Sequence, residues 1–431
     1  MSEHIHEHGD DCGCGHDHEH GHHHHHATGP VKTHRGVLAG LDEAARRKAI
    51  DDDMNAAVAG DHDRLIEILD ERSDDAAPEN SLPVLLAIDG EDALRDYAFA
   101  YGIDDADEMD ADELAETFAN LLTGTASELQ RLLGPMRVKQ LANIRALVEQ
   151  GGWMEVPDAE VGLLSQYPTP VIPFVYIFHR DGVFTFVVPD EVMDKVGELD
   201  WDAIETTART LEEAGRFIDA VTAMRGLIPV DELRAEWEAL RPGALDDEGF
   251  HIALHRLDAY GHMLHPVVGI DDAEYAIHMF LDMVLEELEA MMGEDDDSDP
   301  VLPDQVLAVK AAHAMVEPCP VPEEVLAEEH YLDWLEKQPG VRTLRSFFDA
   351  HVPDSESDYR FSTNMIDLVY ECVCANNDLP AVLEIVSEMG YKLAGDDLMA
   401  FMSALASAYN AIPNWLNNGW TPTEVDDHRI G

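Results

Sequence analysis

The residues best suited to chemistry crowd the first 26 positions, MSEHIHEHGDDCGCGHDHEHGHHHHH. His4, His6 and His8 alternate, His16, His18 and His20 alternate again, and His22, His23, His24, His25 and His26 run unbroken. Cys12 and Cys14 stand between the two alternating groups. Imidazole nitrogen and thiolate sulfur are the donors that borderline divalent ions prefer. Carboxylates at Glu3, Glu7, Asp10, Asp11, Asp17 and Glu19 add a long-range attraction for a cation. These histidines and cysteines are therefore the expected metal ligands, with Zn²⁺ or Ni²⁺ as the expected ion and Co²⁺ and Cu²⁺ compatible with the same donors. Little in the segment can build an apolar core, so residues 1–35 are expected to form a disordered tail. Coordination then costs ordering entropy, which predicts modest affinity and loose selectivity. A purification tag accounts for His22 to His26 but not for the alternating histidines or the CGCG between them. A merely solvated tail, able to bind metal without a biological use for it, is the other reading.

Elsewhere the chemistry thins out. His251 and His255 sit four apart on an expected helix, with His262 and His265 following. His-x3-His on one helical face can hold zinc, but Ile252, Ala253 and Leu254 stand where an HExxH motif would place its glutamate. Separately hydrogen-bonded histidines are expected. Cys372 and Cys374 lie two apart in an apolar helix, where side chains point to different faces, so they read as small buried hydrophobes. There is no phosphate-cradling glycine loop, nucleophile elbow or GxGxxG. With 89 Asp and Glu, no carboxylate pair stands out as acid and base. No catalytic or cofactor-binding residue is assigned, and the chain is read as non-enzymatic.

Charge sorts the partners. Lys and Arg number 27, so the formal net charge is 27 − 89 = −62 with histidine neutral. That sign repels a phosphate backbone and favours cations. The one locally basic stretch carries Arg131, Arg137, Lys139 and Arg145. They either contact phosphates or balance acidic neighbouring helices, and the second is expected. The partners expected are thus a metal ion and a protein, with nucleic acid left to that basic patch. The apolar run VIPFVYIF at 171–178 is too short to span a bilayer as a helix, so no membrane partner is expected. The opening residues lack a basic then apolar leader, and five cysteines do not suggest a disulfide framework. A reduced, cytoplasmic setting is expected.

The elements that must position these residues are mainly helical. Apolar spacing predicts helices over much of 36–82, and a linker at APENSLP. Two short helices flank a glycine-containing loop from Leu94 to Leu122, within a module expected at 83–126. Over 127–197, two helices precede apolar alternation around Arg180-Asp181-Gly182, a strong hairpin signal and the layout of a winged-helix domain. Residues 198–300 and 301–431 read as helical domains, divided by EDDDSDP at 294–300. AEYAIHMFLDMVLEELEAMMG reads as one long amphipathic helix, with Met279, Met283, Met291 and Met292 as core filler. The expected class is mainly α (α+β), with a small winged β-hairpin.

Three stretches resemble known families. LRDYAFAYGIDDADEMDADELAETFANLL resembles the helix–loop–helix of Rho termination factor amino-terminal and SAP-like domains, through its Tyr101-Gly102-Ile103 turn and its Asp112-Glu113-Leu114 helix start. Relatives that touch nucleic acid carry lysines where this chain has Asp107, Asp110 and Asp112, so the resemblance implies a packing module. Cys12-x-Cys14, then eight residues, then His23-His24 resembles the SEC-C zinc knuckle, with histidines in place of its later cysteines and without its Ser-Gly and lysines. NAIPNWLNNGWTPTEV resembles the carboxyl-terminal phrase of uncharacterised bacterial helical proteins, some with a Rho-like module and some ending in a SEC-C knuckle. The matching positions are Asn410, Trp415, Asn417, Asn418, Gly419, Thr421, Pro422 and Glu424. This sequence reaches Gly431 without that knuckle; if the relatives bind metal through it, the amino-terminal tail is expected to take its place. The alternative function is a protein-interaction or transcription-associated adaptor built on the Rho-like and winged-helix-like modules. Turn chemistry accounts for the phrase itself: Asn418-Gly419 suits a left-handed helix end, Thr421 to Glu424 forms a capping box that starts the next helix, and Trp415 and Trp420 are expected to pack across the turn.

Overall fold

A computed structural model describes residues 66, 73, 76–101, 103, 106, 109–158, 174–255, 266–270, 273–281, 304–351, 361–374, 379–391 and 393–430. The tail, most of the 36–82 segment, His262, His265, Met283, Met291, Met292 and the 294–300 boundary lie outside the described residues. What is described is mainly helical, with two small antiparallel sheets.

The amino-terminal part begins with α1 (Leu82–Tyr101), kinked at Gly90 (φ 76°, ψ 179°), and α2 (Ala111–Thr123). The α2 start is chemically specified. Asp110 accepts from the Glu113 amide at 3.0 Å, and Glu113 accepts from the Asp110 amide at 3.2 Å, which satisfies two helix-end donors reciprocally. Leu94, Tyr97, Tyr101, Leu114 and Phe118 are buried, with Tyr97 edge-on to Phe118 at 6.0 Å. α3 (Ala126–Leu133) and α4 (Val138–Glu149) follow, then β1 (Trp153–Pro157), β2 (Tyr176–Arg180) and β3 (Val183–Val187).

Asp181 (φ 53°) and Gly182 (φ 77°) join β2 to β3, both left-handed as a type I′ hairpin turn requires. The hairpin is not a free wing. β1 pairs antiparallel along the far side of β3, Trp153 opposite Val187, giving the order β1-β3-β2. α5 (Asp190–Val196) leads to α6 (Trp201–Arg225). Ile204 and Ala208 of α6 join the amino-terminal core, whereas Leu211 to Met224 line a second, larger one. The boundary expected at 197/198 therefore sits beside a helix that serves both cores.

β4 (Leu227–Pro229), α7 (Val230–Leu240), α8 (Asp247–His255), β5 (Val267–Ile270) and β6 (Ala273–Ile277) come next. The second sheet, in the order β4-β6-β5, corrects two expectations. Residues 198–300 are not wholly helical, and AEYAI is a strand rather than the start of the long helix. Tyr275, Ala276 and Ile277 are buried there, and Leu227 pairs with Ile277 across some fifty residues of chain. Met279, expected in the core, is 53% exposed.

α9 (Asp304–His313), α10 (Glu323–Leu326), α11 (Tyr331–Leu335), α12 (Pro339–Ala350), α13 (Phe361–Cys374), α14 (Leu379–Glu388) and α15 (Asp396–Tyr409) complete the larger core, followed by 3₁₀ turns at Trp415–Asn417 and Val425–His428. α12 and α15 meet closely. A Cβ on Gly340 would lie 2.3 Å from the Ser407 carbonyl oxygen and 2.8 Å from its carbon. Gly340→Ala must push the two helices apart and is expected to lower stability by about 1–3 kcal/mol, read as a shifted urea midpoint at unchanged m-value.

Candidate functional site

The thirteen expected tail ligands, from His4 to His26 with Cys12 and Cys14, lie outside the described residues. Among the described residues, no three His, Cys, Asp or Glu side chains converge in a way that would hold a metal ion. The structure does bring His251 and His255 together on α8, with ring centroids 4.5 Å apart. Cys372 and Cys374 are both buried. The Cys374 thiol donates to the Pro413 carbonyl at 3.4 Å, and burial pushes its pKa well up, so it stays protonated and inert.

The basic stretch is largely committed to carboxylates. Arg131 faces Glu248 at 3.6 Å, Lys139 faces Glu329 at 3.8 Å, and Arg145 reaches Glu149 at 3.2 Å and Glu205 at 3.3 Å. Three of these pairs cross between elements far apart in sequence, so the side chains balance acidic neighbours. Arg137 caps α4 through its backbone, its amide donating to Gln140 at 3.1 Å.

A polar cluster closes the carboxyl-terminal end of α6. The Ala223 carbonyl, left over at the helix end, accepts from the Trp415 indole at 2.9 Å and from the Tyr370 hydroxyl at 2.7 Å. Arg225, 2% exposed, donates twice to Glu236 at 2.8 and 3.0 Å and to the Cys319 carbonyl at 3.2 Å. A bidentate carboxylate partner is what makes so buried a guanidinium tolerable. The His313 Nε2 donates to the Trp415 carbonyl at 3.1 Å, and the His278 ring lies 5.2 Å from the Trp415 ring. Burial pushes both imidazoles down to about 4, keeping them neutral, and pushes the Cys319 thiol up to about 11. A protonated thiol is a poor nucleophile, so this cluster holds parts together rather than attacking a substrate.

The carboxyl-terminal phrase is the other half of the cluster. Asn414 donates to the Val373 carbonyl at 2.8 Å, and Asn418, left-handed at φ 50°, donates to the Val316 carbonyl at 2.9 Å. Asn418-Gly419 thus ends a 3₁₀ turn as its chemistry requires. Thr421 donates through its hydroxyl to Glu424 at 2.6 Å and through its amide at 3.3 Å, and the element that follows is a 3₁₀ turn rather than an α-helix. The two tryptophans do not serve one turn. Trp415 is buried under α6, whereas Trp420 donates to the Glu317 carbonyl at 2.8 Å and stacks on His428 at 3.5 Å. Reasoning from sequence missed Arg225, Glu236, Tyr370, His278 and His313, whose partners lie up to 147 positions away.

Comparison with protein-family models, with curated proteins and with solved structures finds no match to this chain.

Proposed function

We propose that this protein is a non-enzymatic binder of divalent transition metal, nickel or zinc, that buffers, stores or senses the ion through its histidine-rich amino-terminal segment. The observation that carries the reading is the crowding of eleven histidines and two cysteines into residues 4–26, interleaved with carboxylates. In the described body, Cys372, Cys374, His278 and His313 are engaged in packing and hydrogen bonds. Calorimetric titration of nickel or zinc at neutral pH, on the full chain and on a chain lacking residues 1–30, tests it. The full chain is expected to bind several ions, and the shortened chain to lose all but a residual fraction of the heat. Undiminished binding after the deletion refutes the proposal.

A second reading is an adaptor that uses the helix–loop–helix and a winged-helix-like unit of α3, α4 and the β1-β3-β2 sheet. The ion pairs of Arg131, Lys139 and Arg145 favour a protein over a phosphate backbone as its partner. No described helix is long and apolar enough to cross a membrane.

A further inference from the structure

α8 carries Phe250, Ala253 and Leu254 into the larger core, which fixes the helix and leaves the face bearing His251 and His255 outward. His251 is exposed and His255 half-buried. Residues four apart on a helix are neighbours, and here the two imidazole centroids are 4.5 Å apart with 39° between the ring planes. One nitrogen from each ring can then approach a common ion, since two cis ligands on zinc or nickel stand roughly 3 Å from each other. Asp247 and Glu248, one turn earlier on the same side, are ion-paired to Arg234 and Arg131.

The geometry points to a two-histidine chelate at His251 and His255, a surface site for Zn²⁺, Ni²⁺ or Cu²⁺ separate from the amino-terminal segment. Among the described residues no third His, Cys, Asp or Glu joins the pair. Imidazole donors select borderline ions against Mg²⁺ and Ca²⁺, which demand oxygen. The helix holds both ligands in register before the ion arrives, so coordination orders little more than two side chains.

Diethyl pyrocarbonate labelling of the full chain, read peptide by peptide by mass spectrometry with and without zinc chloride, tests the site without confusion from the tail. Zinc at about four times the dissociation constant is expected to slow carbethoxylation of His251 and His255 together by about fivefold, because about a fifth of the sites stay empty. Magnesium chloride is expected to protect neither. His255→Gln keeps the side-chain bulk and should abolish protection of His251, and His251→Gln should do the same for His255. Equal labelling of His251 with and without zinc overturns the site, as does protection that survives His255→Gln. The same digest reports on the tail. Protection confined to residues 4–26 removes the chelate and keeps the proposed function, and protection confined to the α8 peptide does the reverse.

Discussion

Trp415→Ala is expected to lower the free energy of unfolding by on the order of 3–5 kcal/mol, more than a large share of what an ordinary domain has to lose. The indole is fully buried beneath the end of α6. Its removal opens a cavity bounded by the rings of His278 at 5.2 Å and Phe280 at 6.3 Å, and strands the Ala223 carbonyl with one donor fewer. The hole cannot easily collapse. Gly226 approaches the indole so closely that a Cβ there would sit 2.8 Å from the ring, and its φ of 80° is one that glycine alone adopts at no cost. The chain has shaped itself to the indole on that side. Trp415→Phe keeps most of the volume and loses the indole donor, so it should cost far less, about 1 kcal/mol for the hydrogen bond plus a residual packing term. Equilibrium urea unfolding followed by circular dichroism separates the two. Equal, small effects from both substitutions would mean that the phrase does not clamp α6.

That clamp explains why part of the structure was legible in the sequence and part was not. Asp181-Gly182 and Asn418-Gly419 state their conformations locally: the residues that need a left-handed backbone are the ones that tolerate it. The helix–loop–helix was legible because its core residues repeat at helical spacing. β4 and β6 were not, because each is short and their pairing joins Leu227 to Ile277. AEYAI followed by HMFL satisfies both a period of two and a helical period, and only the distant partner strand decides between them. Trp420 illustrates the same limit. Its neighbour in sequence, the turn, predicted a contact with Trp415, but the partner that wins is the Glu317 carbonyl, with His428 stacked on the ring. The candidate metal donors stand in the sequence as residue types and spacing alone, which carries no geometry. For His251 and His255 the helical period gave the adjacency that the ring distance bears out.

Acid is expected to loosen the same clamp well above the range where carboxylates titrate. His278 and His313 both pack around Trp415, and burial holds each imidazole at about 4 against an ordinary value near 6.5. For His313 the nearby Arg225 charge adds to burial, while hydrogen bonds to the Trp415 and Arg225 carbonyls pull the other way. A depressed folded-state value means that the unfolded chain binds these protons first. The contribution to stability is therefore complete above about pH 6.5 and is lost progressively as pH falls towards 4, below which the loss levels off. Both rings keep partial solvent access, so the loss is on the order of 2–3 kcal/mol for each. Asp367 opposes this trend, because burial raises its carboxyl to about 6 and the folded state then gains as it protonates between pH 6 and 4. Burial raises the Asp219 and Glu371 carboxyls as well, and they gain in the same sense, so the histidine share is read as a difference between the wild-type chain and a variant rather than from the total slope. Between pH 7.5 and 5 the urea midpoint of the wild-type chain should fall relative to that of His313→Gln, which retains a donor for the Trp415 carbonyl and does not titrate. A pH dependence untouched by His313→Gln would show that this ring is already solvated in the folded protein.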